Sequence, residues 1–450
     1  MTTAAIRGLS PERTVLDNGA VVIVQETPTT PAVTILATFL AGGLYEPADV
    51  PGVAHLTGRV LDRGTERRSA EVISEQLDDR GVALKVSTTR HTIALGCTCL
   101  AEDFDDVLSI VVDVARRPLF PEPEIAKRRA EIITAVRQDD DNPAVRATEA
   151  FFELAYGATH PYGRRAKGSI ESIERIQRED LVRLHAARVR PGALTLVVVG
   201  DVRPSHALDR AADELEGWHA GQLEDVPVPP PPSRNGRLER FVVVPGKSQT
   251  DIAYGFAAIR RLDPRYYAYW IMNNILGQFG LGGRLADNIR ERQGMAYYAF
   301  SAFDASVGEG PLVIRAGVDP ANLERAIAAI DDEVRALGTD GPTERELQES
   351  RDYLIGSLPR MLETNQSIAT FLQNAEQFGL GLDYDRQLAS HLARVQMDEV
   401  RAAAAEILDP DRAAVATAGP STGISGALGA GSSTGASDAL GAGSSNAERS

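Results

Sequence analysis

The chain repeats itself, and the repeat limits it to folds built from two similar bodies in tandem. Gln177 precedes Pro191 by 14 residues and Gln396 precedes Pro410 by the same 14, with an acidic helix start in each interval (Glu179-Asp180 and Asp398-Glu399). Nine residues beyond each proline, after a β-rich run, stand Gly200 and Gly419, so all three pairs share an offset of 219. A second set, Glu124-Ile125 with Arg129 against Glu346-Leu347 with Arg351, runs at 222, as a three-residue insertion produces. Fixed spacing of this kind marks a repeated unit, with chance recurrence of helix-loop-strand punctuation as the alternative. Residues 226–237, VPVPPPPSRNGR, hold five prolines and no periodicity, which predicts an extended, semi-rigid linker and a hinge. The boundaries are then 1–225, the linker 226–237, 238–420, and a Gly/Ser/Ala tail 421–450. In that tail ALGAGSS occurs twice, and too few apolar residues remain to offset the entropy of ordering, so disorder is expected.

Within each copy strands and helices are mixed. Ile93, Leu95, Cys97 and Cys99 alternate with smaller residues, which puts both cysteines on one strand face as inert, buried thiols. Ser69 is placed to cap a helix carrying Val72, Ile73 and Leu77 on one side, with Gly81 as its stop. Phe104, Val107, Val111 and Val114 have helical spacing. In the second copy Phe241–Val244, Ile252–Phe256 and Leu312–Ala316 read as strands and Pro264–Leu276 as a helix. The class is α+β, with sheets covered by helices.

Charge narrows the function. Of 450 residues 63 are acidic and 47 basic, and the net charge of −16 has the wrong sign for nucleic-acid phosphates or anionic lipid. No run reaches the ~18 apolar residues of a membrane span and the start has no apolar stretch of leader length, so a cytoplasmic protein is expected. Two cysteines make neither a disulfide framework nor a four-cysteine zinc site. Gly246-Lys247-Ser248 lacks the glycine-rich cradle of a phosphate loop, and Gly280–Gly283 lacks a dinucleotide-fold context.

The informative stretch is Pro51–Thr65, PGVAHLTGRVLDRGT, where Val53, Leu56 and Val60 form a helical stripe and His55 and Arg59 lie one turn apart. Here the sequence resembles the M16 metallopeptidases, the family of insulinase, pitrilysin and mitochondrial processing peptidase. That family's Gly-x-Ala-His-x-x-Glu-His motif with a following Gly-Thr aligns on Gly52, Ala54, His55, Gly58, Arg59, Gly64 and Thr65. The resemblance implies two tandem domains, each a mainly antiparallel sheet covered by helices. It also implies a zinc site of two imidazoles at i and i+4, a carboxylate between them as general base, and a third ligand on a later helix.

This chain departs from that pattern at three of four positions. His55 remains, but Gly58 stands at the general base, Arg59 at the second imidazole and Ala135 at the third ligand. A guanidinium that keeps its proton places a fixed positive charge where the cation would sit, so no metal is expected in this chain. Glu131, one turn before Ala135, is the nearest substitute acid and does not complete a three-ligand set. His160-Pro161-Tyr162-Gly163 matches a family loop in which His160 has no catalytic task to perform. In LGGRLADNIRERQGMAYYAFSAF, Arg290 and Tyr297 align with the family pair that faces the zinc from the other domain, and both side chains donate hydrogen bonds to carbonyl oxygens. The resemblance therefore implies a non-catalytic, substrate-binding subunit that pairs with a paralogue bearing an intact, zinc-loaded motif. It would lend Arg290 and Tyr297 to cleavage of an extended peptide. The alternatives are an inactive scaffold of the same fold, or a metal-free enzyme using His55 as acid or base.

Overall fold

A computed structural model describes residues 8–219, 221, 223–233, 236–278 and 282–421. The expected disordered tail, from 422 onward, lies outside the described residues, as do two linker positions, 234 and 235, and part of the Gly280–Gly283 run.

Two sheets account for the strands. The first holds β1 (Glu12–Val15), β2 (Val21–Glu26), β3 (Ala32–Phe39), β4 (Lys85–Thr88), β5 (Ile93–Leu100) and β6 (Leu194–Gly200), in the order β1-β2-β6-β3-β5-β4. The second holds β7 (Leu238–Val243), β8 (Thr250–Ala257), β9 (Ala296–Phe303), β10 (Pro311–Val318) and β11 (Ala414–Gly419), in the order β7-β11-β8-β10-β9. Without the edge strand β1 the two orders match position for position. In each sheet one pair is parallel, β2 with β6 and β7 with β11, and every other pair is antiparallel. The repeat is thus present in the topology, and the fold is α+β as expected.

The central strands are apolar on both faces because both faces are covered. One face of the first sheet packs on its own half's helices, among them Phe104–Arg116. The other face, with Ile23, Leu36, Val197 and Val199, receives Ile368, Ala369 and Leu372 from the Asn365–Gln377 helix of the second half. The second sheet receives Ala147, Ala150, Phe151 and Leu154 of the Pro143–Tyr156 helix against Ala253, Val313, Ala416 and Ala418. Those two helices begin 222 residues apart, at the offset of the second repeat set, so each half lends the same element to the other.

The linker is anchored. His160 Nε2 donates to the Pro229 carbonyl at 2.8 Å, and Val228 packs on the cluster around Phe151. With helices also exchanged between the halves, the packing does not leave 226–237 as a free hinge. Smaller expectations fare variously. Ser69 caps the Ala70–Asp78 helix through the Val72 amide at 3.3 Å, and both cysteines are buried, with burial pushing the Cys97 thiol up to about 12 and the Cys99 thiol to about 11. Val72, however, is exposed, because residues 73 and 77 are a full turn apart and fix the buried stripe, while 72 stands about 100° away from 73.

Candidate functional site

The Pro51–Thr65 segment folds around a short helix, Val53–Val60, whose Val53, Leu56 and Val60 are buried as their spacing requires. It starts sharply. Gly52 has φ +96°, a conformation L side chains avoid, and a Cβ there would lie 2.6 Å from the Lys167 carbonyl oxygen, so only glycine fits. The first amides are satisfied from the side: Glu46 accepts from Gly52 N at 3.0 Å and from Ala54 N at 2.8 Å. Burial outweighs those bonds and the nearby Arg164, and pushes the Glu46 carboxyl up to about 7.

The second element is the helix Glu122–Asp140, which packs against the first and carries Ala135. Arg59 crosses to it, with Nη2 3.1 Å from Glu131 Oε2, and Arg128 holds the same carboxylate at 2.7 Å. Glu131, the nearest substitute acid, is therefore occupied by two guanidiniums, which lower its affinity for a proton. One turn beyond Ala135, Asp139 takes the Lys167 ammonium at 2.6 Å. His55 is half-buried among these charges. Desolvation first, then the cations Lys167 and Arg59, drive its imidazole down to about 4, so it is neutral at physiological pH.

Zinc does not fit this set. Gly58, at the general-base position, lies against β4: a Cβ would stand 2.3 Å from Thr88 Oγ1 and 3.7 Å from Val86 Cγ1. Contact that close fills the volume a glutamate side chain would start from. With Arg59 paired to Glu131 and Ala135 without a donor, His55 stands alone as a ligand. Among the described residues no group of three or more His, Cys, Asp or Glu side chains is arranged to hold a metal ion. Thr65, from the motif's Gly-Thr, is structural, because its hydroxyl bonds buried Asp113 at 2.7 Å beside Arg68 and Arg117.

Arg290 and Tyr297 have a different setting. Arg290 lies on the π-helix Ala286–Arg292, exposed, with Glu291 3.5 Å away as its charged neighbour. Tyr297 is 85% exposed on β9, the free edge of the second sheet. There Ala296 pairs with Val318 and Tyr298 with Gly317, which leaves Tyr297 as the extra residue of a β-bulge and turns its phenol out of the pleat. The Gly294 amide bonds the Arg290 carbonyl at 3.1 Å, closing the turn between them. No recorded bond joins this pair to His55 among the described residues.

His160 is buried and committed: Nδ1 accepts the Tyr162 amide at 3.0 Å, which leaves Nε2 to donate to Pro229. Lys247, from the dismissed phosphate-loop look-alike, pairs with Asp141 at 2.7 Å. Sequence reasoning missed Glu46, the Asp139–Lys167 pair and Thr88. Only the helix start at Gly52, which leaves open amides, points toward the first.

Two family models match in succession, one described as Insulinase (Peptidase family M16) over residues 21–164 and one as Peptidase M16 inactive domain over 175–354. An uncharacterized zinc protease YmxG from Bacillus subtilis is 23% identical over 406 residues, covering 89% of this chain and 97% of its own. A Helicobacter pylori protein named non-peptidase homolog YmxG is 24% identical over 384 residues, covering 84% and 87%. A solved peptidase M16 inactive domain from Pseudomonas fluorescens superposes with TM-score 0.85 at 25% identity, covering 92% of this chain and 99% of that one. A protease from Helicobacter pylori shares the fold at TM-score 0.84 and 18% identity, over 92% of this chain and all of that one. With family matches running in succession through both halves, the chain belongs to the M16 peptidase family.

Proposed function

We propose that this chain is the non-catalytic, substrate-binding subunit of a heterodimeric M16-type zinc peptidase. Its partner would be a paralogue with the intact His-x-x-Glu-His motif. The reading is carried by one contrast. The aligned metal side is packed against Thr88 and tied by the Arg59–Glu131 pair, whereas Arg290 on its π-helix and Tyr297 on the edge strand β9 are both exposed, as groups meant for another molecule would be. A guanidinium and a phenol there can donate to the carbonyl oxygens of a peptide held at the partner's metal, and to the oxyanion that develops during attack. This chain supplies no proton acceptor and no metal to that reaction. Its contribution is to hold and orient the substrate.

The test is co-expression with a zinc-bearing paralogue and a quenched-peptide assay on the purified pair. Arg290→Ala and Tyr297→Phe should each lower kcat/KM by about 10²-fold, the scale for losing one donor to a developing oxyanion, without changing complex formation. Unchanged rates in a stable mixed complex would refute the substrate role and leave the scaffold reading.

A further inference from the structure

Between the two halves lies a pocket of about 580 Å³ that the proposed function does not use. Its wall includes Arg90 and His91 from the first half, and Arg261, Tyr266, Trp270 and Phe371 from the second. The walls are largely aromatic, and two guanidiniums and an imidazole are set into them.

Arg261 is 8% exposed, donates from Nη2 to Tyr384 Oη at 2.7 Å, and lies 3.7 Å from the centre of the Tyr266 ring. Arg90 lies 3.9 Å over the Phe152 ring, reaches the Tyr162 carbonyl at 3.5 Å, and leaves a buried Nε without a partner. Among the described residues neither guanidinium has a carboxylate within ion-pair distance. The pocket's single acid, Asp304, is exposed and hydrogen-bonded to neither, and its charge reaches Arg90 only through space. Charged groups so placed are normally paired, since removing them from water is costly otherwise.

His91 adds a second, independent sign. It is 8% exposed, and its Nδ1 is buried with no partner. Tyr162 Oη accepts the Gly308 amide at 3.0 Å and shares a hydrogen with His91 Nε2, 3.0 Å away. Burial beside Arg90 keeps the imidazole neutral, so one of its two nitrogens carries a hydrogen and the other a lone pair. The pocket therefore holds two guanidiniums without an ion-pair partner and a buried imidazole nitrogen without a hydrogen-bond partner.

We propose that this pocket binds a small aromatic carboxylate. The carboxylate is taken by Arg90 and Arg261, and the ring lies against Tyr266, Trp270 and Phe371. The volume lies within the range of pockets that enclose a ligand of that size. Guanidiniums suit a carboxylate because their paired N–H groups match its two oxygens.

The chain has two tryptophans, Trp218 and Trp270, and only the second lines the pocket. In the full chain carrying Trp218→Phe, fluorescence therefore reports the pocket alone. Titration with phenylacetate should give a saturable change, while phenylacetamide, which keeps the ring but not the charge, and acetate, which keeps the charge but not the ring, should not. Arg90→Gln and Arg261→Gln should each raise the phenylacetate Kd at least about tenfold, the scale of a lost charged hydrogen bond. If Arg261→Gln fails to fold, Arg90→Gln carries the test, because Arg90 is only half-buried. No saturable change with phenylacetate, equal binding of phenylacetamide, or an unchanged Kd in folded Arg90→Gln would each overturn the proposal.

Discussion

At the scale of single residues, the positions that align with the zinc motif are tied into the packing around them. Rebuilding the motif letters as Gly58→Glu, Arg59→His and Ala135→Glu places a Cβ 2.3 Å from Thr88 Oγ1, and overpacking of that kind costs about 1–3 kcal/mol. The triple variant is expected to melt lower than the wild type and to carry well under one zinc per chain by elemental analysis. Stoichiometric zinc would mean that Thr88 gives way. A second prediction concerns Glu46. Its carboxyl is held up at about 7 against an ordinary 4.5, so the folded chain keeps a proton that the unfolded chain releases in between. Its contribution to stability is full below pH 4.5 and is lost as pH rises through 7. His55 and His91, both held down at about 4, act in the opposite direction: their contribution is present above 6.5 and is lost as pH falls through 4. Glu46→Gln should remove only the first slope. The stability difference between wild type and variant, from urea denaturation at pH 4.5 and 7.5, should change by on the order of 3 kcal/mol, and a constant difference would refute the assignment. The alignment of His55, Gly58 and Arg59 on that motif could be read from sequence because the three lie within five residues. What surrounds them could not. Glu131 is 72 residues from Arg59, and Glu46 recognises backbone amides, which no residue pattern records.

At the scale of elements, the strands were readable where one residue type dominates and less so where geometry changes locally. The Val-rich run at β6 and the alternation at β5 gave those strands directly, and the repeat offset paired β6 with β11. The helix expected over Pro264–Leu276 is instead Tyr266–Asn273 followed by a π-helical turn, Asn274–Gln278. The reason is a close approach: a Cβ at Gly277 would lie 2.7 Å from the Ser301 amide, so the widened turn passes directly over β9. The bulge at Tyr297 was equally invisible, since it is a property of the register with β10 and not of β9's own residues. What pattern could not supply at all was the owner of each covering helix. Amphipathic spacing shows that Pro143–Tyr156 has an apolar face but not that this face meets the second sheet. Phe151 measures that contact. It is fully buried against the second sheet while belonging to the first half, so Phe151→Ala should destabilise the chain by about 3–5 kcal/mol in denaturant. A loss below about 1 kcal/mol would mean that the exchanged helix contributes little.

At the scale of the whole molecule, the exchange of helices decides whether the chain is two domains on a hinge or one cooperative body. Each sheet buries one face with its own half and the other with a helix lent by its twin, so neither half can open without exposing a sheet face such as Ile23, Leu36, Val197 and Val199. Apolar surface of that extent is exposed only on unfolding, which couples the halves through the largest favourable term in folding. Calorimetry should therefore show one transition with calorimetric and van't Hoff enthalpies in agreement, and Phe151→Ala should lower it as a unit. The stricter form of the prediction removes the linker. With a protease site placed in 226–233 and cut after folding, the two fragments should co-elute as one particle of unchanged size, because the contacts across the halves, and not the prolines, hold them together. Fragments that separate on the column under native conditions would show that the tether is what keeps the halves together. The pocket between them would then be a cleft that opens and closes, and the rigid surface on which Arg290 and Tyr297 are presented would belong to the second half alone.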